Sequence, residues 1–146
     1  MIPKELIDLM RDLNLFPAVV CSSDEKGSLH AAFVTWLYPL DERTLRLGLS
    51  AEGTTAWNLT VNPKGVLTLF APGLALSCYF EARRVKSTIE GLPFPVSVFE
   101  LSVYRVENAL FPGTTVVGII PFARTGDPVK NAQLDALVLE ELKRRD

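Results

Sequence analysis

LRLGLSAEGTTAWNLTVNPKGVLTLF, residues 45–70, sets the plan of this chain. It opens as an alternating strand, with Leu45, Leu47 and Leu49 on one face and Arg46, Gly48 and Ser50 on the other, the two-residue period of a half-buried β-strand. Ala51-Glu52-Gly53 makes a short turn. Thr54 and Thr55 then head a brief amphipathic helix carrying Trp57 and Leu59. Asn62-Pro63 ends that helix, because a residue before proline is pushed out of the α region. A second strand, Val66 to Phe70, follows. A strand that feeds through a glycine-containing turn into a helix leaves backbone N–H groups unpaired at the positive end of the helix dipole, which is one way to build an anion pocket. An ordinary joint with Thr54 as N-cap has the same sequence, so both readings stand at this point.

Working outward, Pro3 to Leu13 reads as a helix with proline at its first position and Leu6, Ile7, Met10 and Leu13 on one face. Phe16 to Ser22 is a valine-rich strand. Asp24-Glu25-Lys26-Gly27 is a hairpin turn whose glycine can take a positive φ. The next strand, Ser28 to Leu40, is apolar on both faces, as expected of a strand central in a barrel or pressed against another subunit. Beyond the opening stretch, Ala71-Pro72-Gly73 turns the chain into a long strand from Leu74 to Lys86. Val96 to Val106 alternates well, and Thr114 to Phe122 reads as a last strand with Gly118 at a bulge. Asp127-Pro128 starts a helix that runs to Arg144 and is expected to bury Val129, Ala132, Leu134, Leu137, Val138 and Leu142. Six to seven antiparallel strands joined by tight turns, with helices at about 3–13 and 128–144, predict a mainly β domain over residues 1–146. The expected form is a small Greek-key barrel with peripheral helices.

The totals narrow the function. A chain of 146 residues buries roughly 70% of its unfolded surface as one domain, and 48% apolar residues suffice for a core. Net charge is −2 with the 15 basic residues scattered, so no nucleic-acid groove is expected. Cys21 and Cys78 are far apart, with no CxxC or metal-ligand spacing, and read as buried free thiols of a reducing cytoplasm. Charges at Lys4, Glu5 and Asp8 argue against a signal peptide, and no apolar run approaches membrane-spanning length.

Groups that could do chemistry unaided are scarce. His30 is the only histidine, so no His pair can hold a metal, although a single haem ligand stays open. There is no GxSxG elbow, P-loop or GxGxxG after a strand, and the carboxylates cluster on turns and helix ends. An enzyme built from this chain would rely on a cofactor. The helix-headed joint offers an anion site, and the strand before it carries Trp36 and Tyr38. The backbone of Val34-Thr35-Trp36 can serve the edge of a flat polar heterocycle, with the indole as an apolar wall.

Taken together, the Asp-Glu-Lys-Gly hairpin, HAAFVTWLY (30–38), TLRLGLS (44–50), the run NLTVNP (58–63) before Val66 to Phe70, and LFPGTTVVGI (110–119) resemble the FMN-binding split-barrel proteins, the group of pyridoxamine 5'-phosphate oxidase. The resemblance spans about residues 3–122 and implies a homodimer with FMN in the groove between two barrels. It places the backbone of Val34, Thr35 and Trp36 at the isoalloxazine, Ser50 at the ribityl chain or phosphate, and Thr54 and Thr55 at the phosphate. Asn58 lies one turn further on. The family usually has Arg or Lys where this chain has Thr54 and Thr55. Arg46, on the strand face of Ser50, or Arg83 or Arg84 of a partner chain, would have to compensate. The implied function is an FMN-dependent oxidoreductase; the alternative is a non-catalytic split barrel that has lost flavin and binds another ligand or only dimerises.

Overall fold

The structure, a computed structural model, describes residues 1–145. Its elements in chain order are α1 (Lys4–Leu13), β1 (Ala18–Ser23), β2 (Leu29–Val34), β3 (Leu37–Pro39), β4 (Thr44–Ser50), α2 (Thr54–Val61), β5 (Lys64–Ala71), β6 (Leu74–Lys86), β7 (Val96–Asn108) and α3 (Pro128–Lys143). All strand pairings are antiparallel, in the order β2-β1-β5-β6-β7-β4-β3.

The two ends of that order are consecutive in sequence. What the sequence suggests as one strand from Ser28 to Leu40 is broken at Thr35-Trp36: β2 pairs with β1 on one side, and β3 pairs with β4 on the other. The Thr35 carbonyl accepts from Phe16 N–H at 3.1 Å, and the Trp36 carbonyl accepts from Gly48 N–H at 2.9 Å. One bent strand thus joins both edges of the curled sheet and closes the barrel, with a split where it changes sides.

The barrel interior holds Phe16, Leu45, Leu47, Leu67, Leu69, Phe80, Phe99 and Leu101, all essentially inaccessible to water. The expected inward face of β4, Leu45, Leu47 and Leu49, is the observed one. Helix α1 adds Leu6, Ile7 and Met10 to the same core, whereas Leu13 is exposed. Pro3 is the N-cap of α1 rather than its first residue. Gly65 lets β5 pass close to β1: a Cβ there would lie 2.6 Å from the Cys21 carbonyl and 2.7 Å from Phe80 Cζ.

Two expectations need correction. Residues 114–122 form no strand; they run as coil, joined to the sheet by one backbone bond from Gly73 N–H to the Val116 carbonyl at 2.7 Å. Helix α3 buries Val138, Leu139 and Leu142 only, while Val129 and Leu137 are exposed. Only its second half reaches the sheet, where it forms a smaller core with Ile89, Val96 and Val98. Within one chain β2 is covered on one face, Leu29 being 86% and Phe33 52% exposed, which is compatible with the second form of its expectation, a strand pressed against another subunit.

Candidate functional site

The break in the bent strand makes a pocket. Phe33, Val34, Thr35 and Trp36 form one side, Gly48, Leu49 and Ser50 of β4 form the other, and Arg124 from the coil before α3 completes the lining. The hollow measures about 220 Å³. Because Thr35 and Trp36 stand between two ladders, neither N–H has a backbone acceptor among the described residues. Their carbonyls are consumed in closing the barrel, so the pocket presents donors and not acceptors at this point.

The indole of Trp36 is fixed from both sides. Its Nε1–H donates to Asp135 Oδ1 of α3 at 2.9 Å, and its ring stacks on Phe94 with centroids 6.4 Å apart at 16°. Gly48 permits this packing: a Cβ there would meet Val138 Cγ1 at 3.1 Å and Trp36 Cβ at 3.2 Å. Arg124 donates from Nε to Asp135 Oδ2 at 3.2 Å and from its terminal nitrogen to Asn131 Oδ1 at 3.3 Å. Phe33 meets Phe122 edge to face, with centroids 5.9 Å apart, so the coil carrying Arg124 is also held against β2.

The eight residues singled out from the sequence separate into three groups. Val34, Thr35, Trp36 and Ser50 line the pocket together. Thr54 and Thr55 lie next door at the head of α2, reached through Ser50, whose carbonyl accepts Gly53 N–H at 3.1 Å. The N-cap of α2 is Gly53, not Thr54, and no side chain caps it, so the first-turn amides carry no side-chain partner. The remaining two are engaged elsewhere. Asn58, fully buried, donates from Nδ2 to Ser22 Oγ at 3.1 Å and pins α2 to β1.

Arg46 points outward between β4 and α3. It donates to Glu100 Oε1 from Nε at 2.9 Å and to the Arg144 carbonyl from a terminal nitrogen at 2.7 Å. Burial pushes the Glu100 carboxyl up, but hydrogen bonds from Arg83 and Arg46 outweigh it and hold the group below the ordinary carboxylate range. This network ties the end of α3 to the sheet and does not reach the Trp36 pocket. Burial also pushes the Cys78 thiol up to about 12, so it is inert, and both cysteines are free.

The structure adds Arg124, Phe33, Gly48 and Asp135 to the site. Gly48 and Phe33 share the quoted strands, where alternation alone can find them. Arg124 lies in coil and Asp135 on the middle of a helix, where no spacing marks them.

No family model matches the chain, and no curated protein matches it in sequence. Solved structures do. A candidate pyridoxamine 5'-phosphate oxidase from Lactobacillus delbrueckii is 16% identical with a TM-score of 0.61, covering 73% of this chain and 93% of that one. An FMN-binding protein from Syntrophomonas wolfei is 16% identical with a TM-score of 0.55, covering 74% and 88%. The heme storage protein HutZ from Vibrio cholerae is 13% identical with a TM-score of 0.57, covering 74% and 95%. At such identities the similarity establishes the fold, the split barrel that the sequence resemblance implied.

Proposed function

We propose that this chain is a cytoplasmic, homodimeric FMN-binding protein, and an oxidoreductase by virtue of that flavin. The observation that carries the reading is the pair of unpartnered amides, Thr35 and Trp36 N–H, in a concave pocket walled by an anchored indole. That is the donor set a flat heterocycle with acceptors along one edge requires. The neighbours include an FMN-binding protein of the same fold, which supports the choice of ring.

In this reading the amides of Thr35 and Trp36 orient the isoalloxazine and Trp36 excludes water from it. Ser50 serves the ribityl chain on the way to α2. The free first-turn amides of α2, with the hydroxyls of Thr54 and Thr55, take the phosphate. When bound, FMN supplies hydride chemistry between a reduced nicotinamide and a small acceptor; no side chain of this chain is required as acid or base.

The pocket is also small. Ligand sites generally measure about 300–1,000 Å³, and 220 Å³ falls short. A second copy completes it. Phe33 of β2, which packs on Phe122, and the apolar surface of Phe70 with the coil residues Val116 to Pro121 are left open by the single chain.

Titration of the purified protein with FMN tests the reading: flavin fluorescence is expected to be quenched, and the protein to sediment at twice 16.1 kDa. Unchanged fluorescence at tens of micromolar protein defeats it and favours the non-catalytic split barrel, for which the absence of basic residues at Thr54 and Thr55 already speaks. Replacing both (Thr54→Arg with Thr55→Lys) is expected to tighten FMN binding, each charged bond to phosphate being worth about 1.5–3 kcal/mol. No gain would move the phosphate away from the head of α2.

A further inference from the structure

Asp135 holds two parts of the pocket at once. Its Oδ1 accepts from Trp36 Nε1–H at 2.9 Å, and its two oxygens receive the Nε and a terminal nitrogen of Arg124, both at 3.2 Å. The same terminal nitrogen, Nη2, donates to Asn131 Oδ1. No partner of the other terminal nitrogen, Nη1, occurs among the described residues, so two N–H groups of Arg124 stay available. Arg124 is the only cationic side chain in the pocket lining.

Its place in the pocket decides what it serves. Arg124 shares the lining with Val34, Thr35 and Trp36, the end assigned to the ring, whereas Thr54 and Thr55 are not part of that lining. We propose that Arg124 sets the reduction potential of the flavin ring and that Asp135 sets how much of its charge the ring feels, an inference that rests on the flavin reading above. Reduction by two electrons and one proton leaves the ring with a negative charge near neutral pH. A guanidinium with free donors beside that ring favours the reduced form over the neutral oxidised one. Asp135 bears the opposite charge on the same guanidinium and tempers the effect.

The two residues are therefore expected to act with opposite sign. The full-length FMN-loaded protein is titrated with dithionite against a reference dye, alongside R124Q, R124K and D135N. R124Q is expected to lower the potential by about tenfold in the relative affinity for reduced and oxidised flavin, about 30 mV for a two-electron couple. D135N keeps an oxygen to accept from the Trp36 indole, removes the charge, and is expected to raise the potential. R124K is expected to stay near wild type.

An unchanged or raised potential in R124Q overturns the proposal, and so does a D135N that falls together with R124Q. Affinities for oxidised FMN and riboflavin give a second check. If R124Q loosens FMN but not riboflavin, Arg124 grips the phosphate and its assignment to the ring is wrong. Failure of the wild-type protein to bind flavin overturns the parent reading instead, and is seen before any variant is compared.

Discussion

Two guanidinium–carboxylate clusters flank α3, and they differ in what they leave over. At its C-terminal end Arg46 is 8% exposed and spends its donors on Glu100 and the Arg144 carbonyl, with Arg83 bracing the same carboxylate. Nine residues earlier along the helix Asp135 holds Arg124, yet that guanidinium is partly exposed and keeps a nitrogen free over a pocket. The first cluster fastens the helix to the sheet, and although it borders a hollow of about 300 Å³, its Arg46 donors are already spent within the protein. The second faces a hollow with unpaired amides. A charge saturated by its own protein is structure, and a charge held in place but unsaturated is a place for something else to bind.

The sharpest way to break this contrast is at Glu100. E100Q leaves Arg46 buried without its counter-charge, and removing one partner of a buried pair costs about 3–5 kcal/mol. Urea unfolding at pH 7 should show the loss as a lower midpoint. If E100Q unfolds where the wild type does, Arg46 is not the buried, dependent cation described above.

Acid gives a second, smaller test of the same cluster. The Glu100 carboxyl is held below its ordinary range, so its folded pKa lies under the unfolded value. Its contribution is complete above the unfolded value, near 4.3 by reference, and fades as pH falls through the folded one. The gap between wild type and E100Q is expected to narrow between about pH 5 and pH 3. A gap that stays constant would place the loss in packing rather than in charge.

How far these clusters could be seen in advance depends on whether their cause is local. The Asp24 to Gly27 hairpin, the inward leucines of β4 and the Asn62-Pro63 stop follow from neighbouring residues, and the structure has them where expected. The break at Thr35-Trp36 has no glycine or proline to announce it, because it is imposed by barrel closure through Phe16 and Gly48. The run Val116, Val117, Ile119, Ile120 has strand composition but no strand; among the described residues its one backbone bond to the sheet is the Val116 carbonyl accepting from Gly73 N–H. For Asn58 and Arg46, periodicity gives the face of the side chain and not its partner. Ser22 and Glu100 arrive from distant strands.

At the pocket, D135A is expected to cost less than E100Q, about 1–3 kcal/mol, by removing the acceptor of the Trp36 indole N–H and the partner of Arg124. The indole bond is only part-buried, so water can replace part of what is lost. Tryptophan emission, reporting on Trp36 and the exposed Trp57, should shift on this change. A stability equal to wild type with unshifted emission would mean that Phe94 stacking alone orients the ring.

The smallest effect is the one that separates the clusters. Arg124 is 37% exposed at its side chain, so its end of the pair lies partly in solvent, whereas the Asp135 carboxylate is 13% exposed. A pair with its cation partly in solvent contributes about 0–1 kcal/mol, and once the guanidinium is gone the carboxylate keeps the Trp36 indole N–H as a donor. R124Q is therefore expected to unfold within about 0.5 kcal/mol of wild type, against the several lost in E100Q, while changing what the pocket does to its ligand. Side-by-side unfolding curves decide the matter: a loss in R124Q as large as that in E100Q would make Arg124 a second fastening of α3, and the distinction between saturated and available charge would no longer hold.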